Sequence, residues 1–233
     1  MYPLLILWGG IVAVDTTSGP QILISEPIVS CSLLGILFGA PETGLMIGIL
    51  FQLLWLGYLP LGGTVFTDSN LAAYISTAAI FIASDFFDLS GTSMKAALIP
   101  AMLFSVIIGI IGLHIHSYEQ QLNGERNDRI ISCIENGEIS SILFLHSMGI
   151  ATAFLKGVLM TVIFIPAGAI LCGIVSYLPF SLLKVMSQTS MVIIGTVTAS
   201  AIAFYHTKGR TKSLIIGSIG GIIWILFILQ KID

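Results

Sequence analysis

The sequence predicts an all-α membrane protein, a polytopic helical bundle with broken or re-entrant helices in its N-terminal half. Three observations predict it. The chain is 56% hydrophobic and only 9% charged, where an ordinary soluble domain carries roughly 25% charged residues. Its apolar stretches are continuous rather than alternating, so they read as helices and not as strands of a closed barrel, the other structure that satisfies its own backbone in lipid. The apolar stretches of the first half are also interrupted, at GPQILISEP (19–27), APETG (40–44) and YLPLGGTVFTD (58–68). Such breaks release backbone groups that hydrocarbon cannot satisfy, so they persist only where protein or a polar cavity covers them.

A membrane span needs about 20 predominantly apolar residues. The first run, 3–14, continues toward 28–38 across the first interruption. It has no basic leading region and no clear small-residue cleavage site, so it reads as mature structure rather than a secretory signal. Runs at 43–56, 69–84 and 94–113 follow, some too short to cross alone. The polar segment HIHSYEQQLNGERNDRIISCIENGEIS (114–140) then separates an N-terminal membrane half, 1–113, from a C-terminal membrane half, 141–233, and reads as a cytoplasmic connector. The second half is simpler. A helical tract from about 140 to 178 carries a kink at Pro166, with Lys156 marking the end of a shorter surface helix, and spans at 188–205 and 213–229 follow. The basic runs ERNDR (125–129) and HTKGRTK (206–212) both face the cytoplasm if two spans separate them. Gly35 and Gly39, Gly44 and Gly48, and Gly217 and Gly221 form small-xxx-small pairs that let helices approach closely.

Several function classes find no support. A net charge of −3 offers no nucleic-acid surface. Cys31, Cys133 and Cys172 are odd in number and scattered, which suits small buried residues rather than a disulfide framework. No GxSxG elbow, phosphate-binding P-loop or HExxH helix occurs. His114 and His116 have no nearby Cys or third His, and His146 and His206 stand alone, so neither a zinc site nor a general base can be argued and no cofactor is expected.

The constellation that carries chemistry runs from Thr43 to Thr77. An apolar helix bears one strong polar group, Gln52; Pro60, Gly62 and Gly63 break it; Thr67, Asp68, Ser69 and Asn70 lead into a second apolar helix. Thr67, Asp68 or Ser69 could each serve as the N-cap of that helix, and Asp68 also reads as an intramembrane carboxylate, costly enough to mark a solute path; the two readings are compatible. A polyhydroxylated solute such as a sugar needs donors and acceptors at fixed points and a flat apolar surface. Gln52 offers both hydrogen-bonding roles, Asp68 a charge-assisted acceptor, and Trp55, one turn from Gln52, or Tyr58 a face, although a lone Trp at a helix end also serves as an interface anchor. Asp15 and Glu26 flank the first break and read either as lining a re-entrant segment or as sitting in water. Glu42 reads as a first-turn acid stabilised by the helix dipole, and Asp85, Asp88 and Lys95 as a solvated loop.

At this constellation the sequence resembles the enzyme IIC subunit of the mannose/sorbose-type phosphoenolpyruvate-dependent sugar phosphotransferase system. The likeness runs through PIVSCSLLGILFG (27–39), TGLMIG (43–48), QLLWLG (52–57), GGTVFTD (62–68) and LAAYIST (71–77). It implies a sugar-translocating subunit in the bacterial cytoplasmic membrane, crossing it several times. Such a subunit works with a related membrane partner, IID, and with cytoplasmic IIA and IIB proteins that carry the phosphoryl group, so this chain itself needs no catalytic residue. The expected substrate-binding residues are Gln52, Asp68, Thr67, Asn70 and Trp55. Members of that family often have Glu where this chain has Gln52 and Pro where it has Thr67, so its sugar preference or its transport itself differs. The rival readings are a non-transporting regulatory or anchoring subunit and a secondary carrier independent of phosphoryl transfer.

Overall fold

The structure is a computed structural model and describes residues 1–55, 67–205 and 219. Among them only helices and turns occur. Helix α1 spans Tyr2–Thr17, α2 Pro27–Leu37, α3 Pro41–Trp55, α4 Ser69–Phe87, α5 Thr92–Ala96, α6 Leu98–Glu135, α7 Ile139–Gly173, followed by a 3-10 turn at Ile174–Tyr177, and α8 Phe180–Tyr205. Among the described residues, three stretches are long and apolar enough to cross a membrane: Ser69–Phe87, Thr92–Glu135 and Ile139–Tyr177. The all-α membrane fold expected from composition is therefore the one observed. The heart of the Gly-Pro interruption with Tyr58, the basic run 206–212 and the span at 213–229 lie outside the described residues.

Helix α4 is the central element. Every residue from Leu71 to Ala83 is buried, polar Ser76 and Thr77 included, and α1, α2, α3, α6 and α7 all pack on it. Small side chains along AAYISTAA let neighbouring backbones come close on every side, the packing that replaces the hydrophobic effect inside a bilayer.

The first half is built from short pieces. At 1.5 Å per residue the 11 residues of α2 cover about 16 Å, roughly half the hydrocarbon thickness. Helix α2 ends at Gly39, whose φ of +71° is the left-handed conformation that closes helices without a Cβ penalty. The chain then reverses into α3, with Glu42 in its first turn. The two helices pack through Gly35 and Gly44: a Cβ on Gly44 falls 2.5 Å from the Gly35 Cα, and one on Gly48 falls 2.8 Å from the Pro27 carbonyl oxygen. The predicted pair Gly44 and Gly48 is thus a real contact face, whereas Gly39 serves the turn.

The polar stretch 114–140 is mostly helical: α6 carries it to Glu135, and only Asn136–Glu138 separate α6 from α7. The second half departs from expectation at Lys156, which does not end a surface helix. It lies inside α7 and is buried, because its ammonium is taken up by carboxylates from two other elements, described below. Helix α7 continues through Pro166, and Gly157 packs it against Gly10 and Ala13 of α1. Cys31, Cys133 and Cys172 are free thiols. Asp85, Asp88 and Lys95 are exposed, but only Asp88 lies in the loop expected for all three: Asp85 is in the last turn of α4 and Lys95 in α5.

Candidate functional site

Two polar clusters flank the interruption. The first is built on the break between α1 and α2. Asp15, read from sequence either as lining a re-entrant segment or as sitting in water, is 3% exposed. Its Oδ1 accepts a hydrogen bond from the Ile22 amide at 2.8 Å and its Oδ2 one from the Ser25 amide at 2.9 Å. That carboxylate satisfies amides the break has released and holds Gln21 and Leu23 at φ of 51° and 68°, a region L-residues rarely occupy. The folded loop delivers Ser25 and Glu26 to the end of α3. There Gln52 Nε2 donates to Glu26 Oε2 at 2.8 Å, while Gln52 Oε1 accepts from the Ile28 amide at 3.2 Å. Ser25 Oγ accepts from Asn70 Nδ2 at 3.2 Å, which ties this cluster to the first turn of α4.

The second cluster is built on Asp68. It occupies the N-cap position of α4, but its side chain makes no capping bond. The carboxylate turns instead toward α7, where Lys156 Nζ lies 3.0 Å from Asp68 Oδ2 and 3.1 Å from Glu119 Oε2 of α6. These are close charge contacts without good hydrogen-bond alignment. Glu119 Oε2 is also 3.4 Å from His116 Nδ1, and Gln120 Nε2 is 3.2 Å from His116 Nε2. All the charged members are buried, with Asp68 3%, Glu119 5% and Lys156 7% exposed. Removing such ions from water costs several kcal/mol each, and Lys156 offsets that cost by serving both carboxylates. Asp68 is admitted because α6 has no side chain at Gly112: a Cβ there falls 2.5 Å from the Asp68 Cβ. The cluster therefore sits where the apolar part of α6 passes into the polar stretch that begins at His114.

One turn away along α6, Trp55 Nε1 donates to Ser105 Oγ at 3.1 Å and its ring lies on Gly109. The indole is buried, fixed inside the bundle. Trp55, Asp68 and Glu119 consequently follow one another along a single helix.

Of the residues expected from sequence, Asn70 bonds to Ser25 and Gln52 to the adjacent Glu26, while Asp68 belongs to the second cluster and Thr67 precedes it in the chain. Gln52 has both functional groups engaged. Asp68 Oδ1 and Thr67 Oγ1, by contrast, are buried without a hydrogen-bond partner among the described residues, a state uncommon enough to call for an explanation. Sequence reasoning missed Lys156 and Glu119 as members of the site and undervalued Asp15 and Glu26. For Lys156 one signal existed, a lone cation within an apolar run, which by default needs a named partner.

The profile of one protein family, described as "PTS system sorbose-specific IIC component", matches residues 2–219. Two relatives carry related descriptions. The sorbose-specific EIIC component of Lacticaseibacillus casei is 29% identical over 79 residues, covering 34% of this chain and 28% of the relative. The mannose-specific EIIC component of Escherichia coli strain K12 is 26% identical over 126 residues, covering 54% of this chain and 46% of the relative. The alignments thus span less than half the length of either relative.

Proposed function

The chain belongs to the family of sorbose-specific IIC components of the phosphotransferase system, and from that premise we propose that it is the membrane permease subunit that passes a hexose-type sugar to cytoplasmic partners for phosphorylation. The observation that carries this reading is the pair of buried, unpartnered oxygens, Asp68 Oδ1 and Thr67 Oγ1, at the start of a central helix whose Asn70 bonds to Ser25. A sugar hydroxyl donates to a carboxylate and both donates to and accepts from a threonine hydroxyl, so a bound hexose satisfies both atoms. Asp68 and Thr67 contact the sugar. Gln52 positions Glu26 through its amide, Asn70 sets the start of α4 against the α1–α2 loop, and Trp55 fixes the end of α3 on α6.

The partners in this reading are a IID membrane subunit and cytoplasmic IIA and IIB proteins in a hetero-oligomer at the bacterial cytoplasmic membrane, which this chain crosses several times. Translocation moves the short-helix region as a block against the long helices, the arrangement in which broken helices commonly bind solute. Phosphorylation then traps the product, because a phosphate monoester carries close to two negative charges at neutral pH.

The test is uptake of labelled hexoses, mannose and sorbose among them, into vesicles holding this chain with IID, IIA and IIB. Uptake that requires phosphoenolpyruvate and falls at least about tenfold in Asp68→Asn, equivalent to 1.4 kcal/mol, supports the reading. Uptake without phosphoenolpyruvate makes the protein a secondary carrier, and stable assembly without uptake makes it a regulatory or anchoring subunit.

A further inference from the structure

Two helical turns beyond Glu119, about 10 Å further along α6, a second polar site opens that the sugar reading does not use. A cavity of about 350 Å³ lies between the C-terminal end of α1, α6 and α7, and Thr17, Ser18, Asn123, Arg126 and His146 supply its polar lining. Arg126 is fixed at its mouth: Nη1 donates to Asn123 Oδ1 at 2.6 Å on its own helix and to Thr152 Oγ1 at 3.1 Å on α7. Those two bonds set the plane of the guanidinium and leave its other N–H donors without a partner among the described residues.

The charge around this group is lopsided. No carboxylate lines the cavity, and no acid pairs with Arg126 among the described residues. Glu125 and Asp128 are one and two positions away on α6, spacings that do not share a helix face, whereas Arg129 at i+3 does. The other lining groups add donors. Asn123 uses its oxygen on Arg126 and keeps its amide hydrogens, Ser18 has a hydroxyl, and the His146 ring has one N–H when neutral and two when protonated. An oriented guanidinium with unpaired donors, amide and hydroxyl donors around it and no acid in the wall match a tetrahedral oxyanion, which Arg binds through two parallel hydrogen bonds. The volume lies at the small end of ligand cavities, enough for a phosphate on a compact body, and Ile130, Leu145 and Ile150 give that body an apolar wall.

We infer that the Arg126 cavity is a binding site for a phosphate group. Two sources present that chemistry, a soluble phosphate monoester and the headgroup of an anionic phospholipid. The inference does not rest on the sugar reading: the cavity shares no residue with the Asp68 cluster, and its test involves neither transport nor a partner protein.

The experiment is arginine footprinting with phenylglyoxal on the purified full chain, read by mass spectrometry. In one arm the protein is in neutral detergent with glucose 6-phosphate or inorganic phosphate, against glucose and sodium chloride as controls. In the other it is in nanodiscs of phosphatidylglycerol, against phosphatidylcholine. Protection of Arg126 by at least about fivefold near saturation, with the exposed Arg129 unaffected, is the expected result. Protection by the soluble esters assigns the soluble source, and protection by phosphatidylglycerol alone assigns the headgroup. Arg126→Gln should in addition lose the thermal stabilisation that the effective ligand gives, while Arg129→Gln keeps it. Equal labelling of Arg126 in every condition overturns the inference.

Discussion

Gln52 and Asp68 stand at the two ends of one interruption, yet the protein holds them in opposite ways. Before the break, the amide of Gln52 is closed into hydrogen bonds with Glu26 and the Ile28 amide, and Asp15 saturates the neighbouring loop. Gln52 and Asp15 each have both side-chain polar atoms paired, so this end of α3 behaves as a scaffold. After the break, Asp68 is held by charge on one oxygen only, with Oδ1 and the adjacent Thr67 hydroxyl open. A cluster that keeps buried acceptors unsatisfied forgoes stability, commonly about 1–3 kcal/mol per group, and a bound ligand returns it. In the proposed function, the side of the break with open groups is the side assigned to substrate.

The sharpest way to break this contrast is through Lys156. Lys156→Met strands two buried carboxylates and should cost about 3–5 kcal/mol, read as a large fall in the thermal unfolding midpoint in detergent. Adding Asp68→Asn and Glu119→Gln to that variant removes the stranded charge and should recover much of the loss. An unchanged midpoint in the single variant means Asp68 is not held by charge.

The scaffold side is tested next by packing. Gly44→Ala places a methyl against the Gly35 Cα and the Cys31 carbonyl, where no flexible side chain can yield, at a cost of about 1–3 kcal/mol. Its signature is faster proteolysis at the α2–α3 turn, while the Asp68 cluster keeps its stability.

Smaller effects sharpen the comparison. Gln52→Ala leaves Glu26 without its donor, a loss of about 1 kcal/mol at a half-exposed pair, and should raise the KM for uptake less than Asp68→Asn does. Trp55→Phe keeps the ring on Gly109 and gives up the bond to Ser105, worth about 0.5–1.5 kcal/mol. Equilibrium unfolding should place it at the foot of the series, with sugar binding intact.

Much of the fold was legible because apolar continuity is a property of a few adjacent residues. The runs at 69–84 and 94–113 became α4 and the first part of α6, and the Pro and Gly interruptions marked the short helices. Asp68 and Asn70 were legible as polar residues opening an apolar helix. What stayed hidden depends on partners distant in the chain. Lys156 in an apolar run suggests a helix end until Asp68 and Glu119 arrive from two other helices. Asp15 binds backbone amides, which every residue type but proline carries, so no motif records it. The run of charges in 114–135 suits a connector and the polar length of a long helix alike, so polarity alone did not fix where α6 ends.

The central claim is that the open oxygens after the break receive the sugar. Equilibrium binding of the transported hexose to the purified complex tests it most directly, comparing Asp68→Asn with Gln52→Ala. Asp68→Asn leaves Lys156 paired with Glu119, so the cluster stays held. The account predicts that Asp68→Asn weakens the sugar Kd by at least about tenfold while Gln52→Ala changes it by only a few-fold. Wild-type affinity in Asp68→Asn with affinity lost in Gln52→Ala would contradict it.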